Sequence, residues 1–132
     1  MKSVMCFGAF DVLHLGHVNY FTQAKEFGDY LIVVVARDHT KEKMKKPLMF
    51  SENERVELVK SVGIVDEAVL GDLDDHFKII LDKKPSVICL GYDQEITRKE
   101  LGEELSKLGL NPIIKRMKPY GEDKYKSSKI KK

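Results

Sequence analysis

Three things are scarce in this sequence: cysteine, net charge and long apolar runs. Its two cysteines, Cys6 and Cys89, each lie inside a strand-like apolar stretch. They read as buried free thiols in a reducing compartment and exclude a disulfide-framed secreted domain. No stretch approaches the ~18 apolar residues of a membrane span, and no signal peptide precedes the first apolar run. The sequence therefore predicts a cytoplasmic protein that does not span a membrane. A formal net charge of +2 is too small for a nucleic-acid coat. The charge is uneven, however. Lysines crowd Lys41–Pro47 and Lys124–Lys132, while Gly71–Phe77 is acidic. Two basic clusters in a nearly neutral chain point to a local anionic ligand, with solvated loops as the plain alternative.

What is present is a regular alternation of strand and helix signals. At 132 residues the chain suits one domain, spanning 1–132, with a core of its own. Short apolar runs at Ser3–Phe7, Tyr30–Ala36, Asp66–Gly71, Pro85–Gly91 and Asn111–Met117 predict five strands. The β-branched run Tyr30–Ala36 has no polar face, the habit of an interior parallel strand. Helical spacing of Leu15, Val18, Phe21, Ala24 and Phe27 predicts a first helix stopped by Gly28. A second helix opens at Ser51 with Glu54 placed for a capping box. Asp74–Lys84 and Thr97–Gly109 complete the set. This order predicts an α/β protein, a Rossmann-like doubly wound sheet of five parallel strands with helices on both faces. Such sheets bind ligands beyond the carboxyl ends of their strands. The places to look are the loops after Phe7, Ala36, Leu90 and Met117.

The first of those loops reads Gly-Ala-Phe-Asp-Val-Leu-His-Leu-Gly-His from Gly8 to His17. Gly8 permits a close turn. His14 and His17 fall in the first turn of the next helix and on one face, where free N–H groups already favour anions. Imidazoles there can donate to phosphate oxygens and stabilise charge that develops in phosphoryl or nucleotidyl transfer. The same spacing suits half of a zinc site, but no third ligand has convincing spacing.

The stretch matches the G-x-F-D-x-x-H-x-G-H signature of the cytidylyltransferase-like nucleotidyltransferases. The chain resembles that family along nearly its whole length: Ala36-Arg37-Asp38, the lysine-rich loop, a helix carrying Arg55, Gly91-Tyr92-Asp93-Gln94 and Ser127-Ser128-Lys129-Ile130 come in the family's order. The resemblance implies an enzyme that joins a nucleoside triphosphate to a phosphate-bearing acceptor and releases pyrophosphate, assisted by Mg2+ held through phosphates. It further implies a homodimer. By the same resemblance His14, His17 and Lys46 are catalytic, with Lys43 and Lys45 competing for the lysine role. Ala9, Phe10, Gly91, Asp93 and Gln94 face the nucleotide, and Ser127 and Ser128 hold its outer phosphates.

Arg55 reaches phosphates in this reading; a surface arginine paired with Glu52 is the alternative. Outside the family context, Ser127-Ser128 is a plain helix cap. His39 and His76 read as structural, Asp72, Asp74 and Asp75 as favouring a helix dipole, and Asp11 as organising its loop.

The acceptor is read from shorter signals. Glycerol-phosphate cytidylyltransferases carry R-T-x-G-I-S-T before the last helix, where this chain has Glu122 and Tyr125 in place of the arginine and glycine. Ala36-Arg37-Asp38 and Gly91-Tyr92-Asp93-Gln94 instead resemble segments of archaeal FAD synthases, which transfer AMP from ATP to FMN. The order of expectation is ATP with FMN, then a glycerol-phosphate-type cytidylyltransferase, then a sugar-phosphate nucleotidyltransferase. A nucleotide-binding regulatory module without turnover is the non-enzymatic alternative.

Overall fold

Strand and helix alternate as the apolar pattern requires, and in a computed structural model the strands form one parallel sheet. The structure describes residues 2–38, 49–71, 77–92, 94 and 96–118. In chain order these hold β1 (Ser3–Gly8), α1 (Leu15–Lys25), β2 (Tyr30–Val35), α2 (Glu52–Lys60), β3 (Glu67–Leu70), α3 (Lys78–Lys83), β4 (Val87–Leu90), α4 (Arg98–Lys107) and β5 (Ile113–Arg116). The sheet order is β3-β2-β1-β4-β5, and every neighbouring pair is parallel. The chain therefore winds outward from β1 in one direction, returns, and winds out in the other. The order reverses between β1 and β4.

Alternation along each strand sends side chains to two cores. Val4, Cys6, Val33, Val35, Val87 and Cys89 pack with Tyr20, Phe21 and Ala24 of α1 and Val59 of α2. Met5, Ile32, Val34, Ile88 and Leu90 pack with Ile80 of α3 and with Leu101 and Leu105 of α4. A fully buried side chain of this size contributes about 1.5–3 kcal/mol, so neither layer is dispensable. Cys6 and Cys89 are register partners, buried and free. Burial pushes both thiols up, Cys89 to about 12, so both stay protonated at neutral pH.

Local signals set the helix starts. Ser51 caps α2 and exchanges hydrogen bonds with Glu54, as its sequence predicts; Thr97 and Glu100 do the same for α4. The first helix ends at Lys25, short of the predicted Phe27. Gly28 is needed for a different reason than helix termination: a Cβ there would lie 2.5 Å from the Lys2 carbonyl oxygen. Among the described residues, no helix is long and apolar enough to cross a membrane.

Candidate active site

The strand order reverses between β1 and β4, and it is in the crevice beyond the carboxyl ends at such a reversal that open α/β sheets take ligands. One wall is the turn from β1 into α1. Here His14 is the N-cap of α1: its Nδ1 accepts from Gly16 N–H at 3.1 Å. His17 reciprocates, its Nδ1 accepting from the His14 N–H at 3.3 Å. The two histidines thus form a capping box, a part usually played by Ser or Thr with Glu or Gln. Their rings stack with centroids 3.9 Å apart.

This geometry fixes the tautomers. A neutral imidazole that accepts at Nδ1 carries its proton on Nε2, so Nε2–H is the donor of each ring. Burial, and secondarily the neighbouring His14, pushes His17 down to about 3. Burial lowers His14 as well. At neutral pH this wall offers uncharged hydrogen-bond donors.

Beneath the histidines lies Phe10, which is buried and holds a φ of 52°. Its ring meets His17 edge-on at 5.2 Å. The same ring explains Gly8, where an added Cβ would lie 2.6 Å from the Phe10 ring tip. Asp11 organises the loop as its sequence position predicts: buried, it accepts from Met49 N–H at 2.8 Å and Phe50 N–H at 2.9 Å. It thereby anchors the start of α2 to the histidine turn.

Arg55 differs from both expectations at the sequence level. It is fully buried, so it is no surface arginine, and its partner is Asp38 at 2.7 Å. Glu52 instead pairs with Arg37 and accepts from Asp38 N–H. The Arg55 guanidinium also donates to the carbonyls of Ala9 (2.9 Å), Ala36 (2.6 Å) and Phe50 (3.2 Å). Four of its five donors are spent inside the protein, joining the ends of β1 and β2 to α2. In this structure its role is to hold the turn that carries Ala9 and Phe10.

The opposite wall holds Gly91, Gln94 and Ile96, after β4. The ladder between β1 and β4 stops at Cys6↔Cys89. Beyond it, the Gln94 carboxamide accepts from Gly91 N–H at 2.9 Å and donates to Phe7 C=O at 2.6 Å. Carried one step further, the register would pair that donor with that acceptor directly; the amide stands between them as a wedge. Gln94, expected to face the nucleotide, has its side chain committed to the two strands. Tyr20 bridges them from α1, its hydroxyl donating to Cys89 C=O at 2.6 Å and accepting from Phe7 N–H at 3.3 Å.

Arg116, at the end of β5, donates to the carbonyls of Gly91, Gln94 and Ile96. Tyr20 and Arg116 were missed at the sequence level. The signals were a polar-tipped aromatic among the buried positions of α1 and an arginine closing an apolar strand.

Lys43, Lys45, Lys46, Asp93, Ser127 and Ser128 lie outside the described residues, as do His39, His76, Asp72, Asp74 and Asp75. Among the described residues, no group of three or more His, Cys, Asp or Glu could hold a metal ion. The donor set of the histidine wall is two neutral imidazoles, which suits phosphate oxygens and not a hard cation.

Comparison with known proteins places this geometry. The cytidylyltransferase-like family profile matches residues 5–132. A FAD synthase from Thermoplasma volcanium is 42% identical over 132 residues, covering 100% of this chain and 93% of that protein. A FAD synthase from Aciduliprofundum boonei is 45% identical over 122 residues, 92% of this chain and 82% of the relative. The crystal structure of a Thermoplasma volcanium protein described as a lipopolysaccharide core biosynthesis protein superposes with a TM-score of 0.89 at 43% identity, covering 91% of this chain and 98% of that one. The chain belongs to the cytidylyltransferase-like nucleotidyltransferase family and, within it, to the FAD synthases.

Proposed function

We propose that the protein is an FMN adenylyltransferase that makes FAD from ATP and FMN. The observation that carries this reading is 40–45% identity to FAD synthases over nearly the whole chain. In the reaction an oxygen of the FMN phosphate attacks the α-phosphorus of ATP. A new P–O bond forms, the bond from the α-phosphorus to the bridging oxygen breaks, and pyrophosphate leaves with that electron pair.

Nothing covalent is asked of the protein, so its contribution is positioning and charge stabilisation. His14 and His17 donate from Nε2–H to the phosphate oxygens where negative charge grows. The backbone of Ala9 and Phe10 lines the nucleotide side of that turn, and Gly91 with Asp93 faces base and ribose. Lys46, with Lys43 and Lys45 as alternatives, neutralises the α-phosphate or the acceptor phosphate. Ser127 and Ser128 hold the β- and γ-phosphates. Mg2+, carried by the phosphates, supplies further charge neutralisation when bound. We assign the active unit as a homodimer and its place as the cytoplasm, in keeping with two buried reduced thiols.

The deciding experiment measures pyrophosphate release with Mg2+ and three pairs: ATP with FMN, CTP with glycerol 3-phosphate, and CTP with a sugar phosphate. FAD is identified by chromatography. Release and FAD formation with the first pair are expected. Release only with a CTP pair overturns the flavin reading. Tight nucleotide binding without release from any pair overturns the enzyme and leaves a regulatory module.

A further inference from the structure

The loop between β4 and α4 is tied down from an unexpected direction. Arg116 belongs to β5, the strand at the sheet's edge, yet its guanidinium reaches back across the carboxyl end of β4. Nη1 donates to Gly91 C=O and Gln94 C=O, both at 2.8 Å, and Nη2 donates to Ile96 C=O at 2.6 Å. Three carbonyls from six consecutive residues converge on one half-buried cation. The planar fork of an arginine can satisfy such a set; the point charge of a lysine cannot.

We propose that Arg116 is a positioning residue for the nucleotide, fixing Gly91, Gln94 and Ile96 as the second wall of the crevice and cancelling three carbonyl dipoles beside the triphosphate. Two observations support this beyond the contacts themselves. First, Gln94 takes part in the same arrangement. Its backbone carbonyl is held by Arg116, while its side chain wedges β1 from β4 through Gly91 N–H and Phe7 C=O. Releasing Arg116 therefore loosens the amide that keeps the crevice open. Second, the wall facing it supplies donors that are uncharged at neutral pH. Carbonyl oxygens left uncompensated across from that wall would repel a polyanion in a region that screens poorly. The inference rests on the nucleotide binding at the β1/β4 reversal point, and it predicts an effect on the triphosphate rather than on the acceptor.

The test uses the whole chain as wild type, Arg116→Lys and Arg116→Met. Titration calorimetry follows Mg2+ complexes of a non-cleavable ATP analogue and of CTP. Flavin fluorescence follows FMN, and hydrogen–deuterium exchange follows residues 91–97. Both variants are expected to bind the triphosphate about 10- to 100-fold more weakly, the scale of losing charge-assisted hydrogen bonds. FMN affinity is expected to stay unchanged, and exchange to rise at 91–97 but not in α1. If Arg116→Met fails to fold, Arg116→Lys carries the comparison, since it keeps the charge and loses the fork. Unchanged triphosphate affinity, or parallel loss of triphosphate and FMN affinity, overturns the proposal. A wild type that prefers CTP to ATP overturns the flavin reading alone, and the Arg116 effect is then read on CTP. A wild type that binds neither triphosphate overturns both.

Discussion

The two walls of the crevice spend their polar side chains in opposite ways. In the β1–α1 turn, backbone N–H groups of Gly16 and His14 engage the Nδ1 atoms of two imidazoles and leave Nε2–H as each ring's donor. In the β4–α4 loop, the Gln94 carboxamide and the Arg116 guanidinium turn inward, onto backbone donors and acceptors of the same two strands and loop. On the function proposed above, one wall presents donors to the substrate and the other holds a shape. The lesson is that a polar side chain at a sheet's carboxyl end is not thereby a ligand. Its hydrogen-bond partners decide which it is.

The sharpest way to test that division is His17→Ala. Loss of one charge-stabilising donor is expected to lower turnover of ATP with FMN by about 100- to 1,000-fold, measured by pyrophosphate release, while the lost cap on α1 lowers the thermal midpoint modestly. Full turnover would mean that the histidine wall presents nothing. Next in size is Arg55→Met, which strands Asp38 and three carbonyls around a fully buried site. A stability loss of about 3 kcal/mol is expected by urea denaturation; a change in KM with no loss of stability would return Arg55 to the phosphates. On the other wall, Gln94→Glu places a carboxylate oxygen against Phe7 C=O. It is expected to cost about 1–3 kcal/mol of stability, again by urea denaturation, and a stable variant that only loses nucleotide affinity would make Gln94 a direct ligand.

The last test is a pH slope. His17 sits near 3 in the folded protein against an ordinary 6.5, so below pH 6.5 the unfolded chain binds the extra proton. The stabilisation is complete above that value and declines as pH falls towards 3, by about 1.4 kcal/mol per pH unit. His14 shifts in the same direction. Asp66 and Glu67, held down by Lys25 and Lys83, enter only below the ordinary carboxylate range. Denaturation curves between pH 6.5 and 4.5 therefore read the histidines, and His17→Asn is expected to flatten the slope.

Much of this was legible in the residues themselves. The apolar runs gave five strands because parallel strands covered on both faces have no polar face to interrupt the pattern. Strand order was not encoded locally, but the rule that ligands lie at carboxyl ends was enough to single out the histidine turn. What could not be read was who partners whom across the sheet. Arg55 has Glu52 three residues before it on the same helix, the ordinary sign of a surface pair, yet tertiary packing carries it under Ala9 and Ala36. Gln94 meets Phe7 across 87 positions, a distance at which no local periodicity speaks. The histidine cap escaped for another reason, since the sequence rule for a capping box names other residue types.

That cap has a consequence for how the motif can drift. On the proposed function, an exchange at positions 14 and 17 must satisfy two unrelated demands: an acceptor at the head of α1 and a neutral donor for phosphate. Serine, threonine or aspartate at position 14 could close the helix without reproducing the imidazole donor, while lysine could meet a phosphate but offers no acceptor to the backbone. A neutral imidazole does both from opposite edges of one ring. On that reading selection for folding and selection for turnover act on the same residue, and a single exchange at position 14 keeps at most one of the two demands.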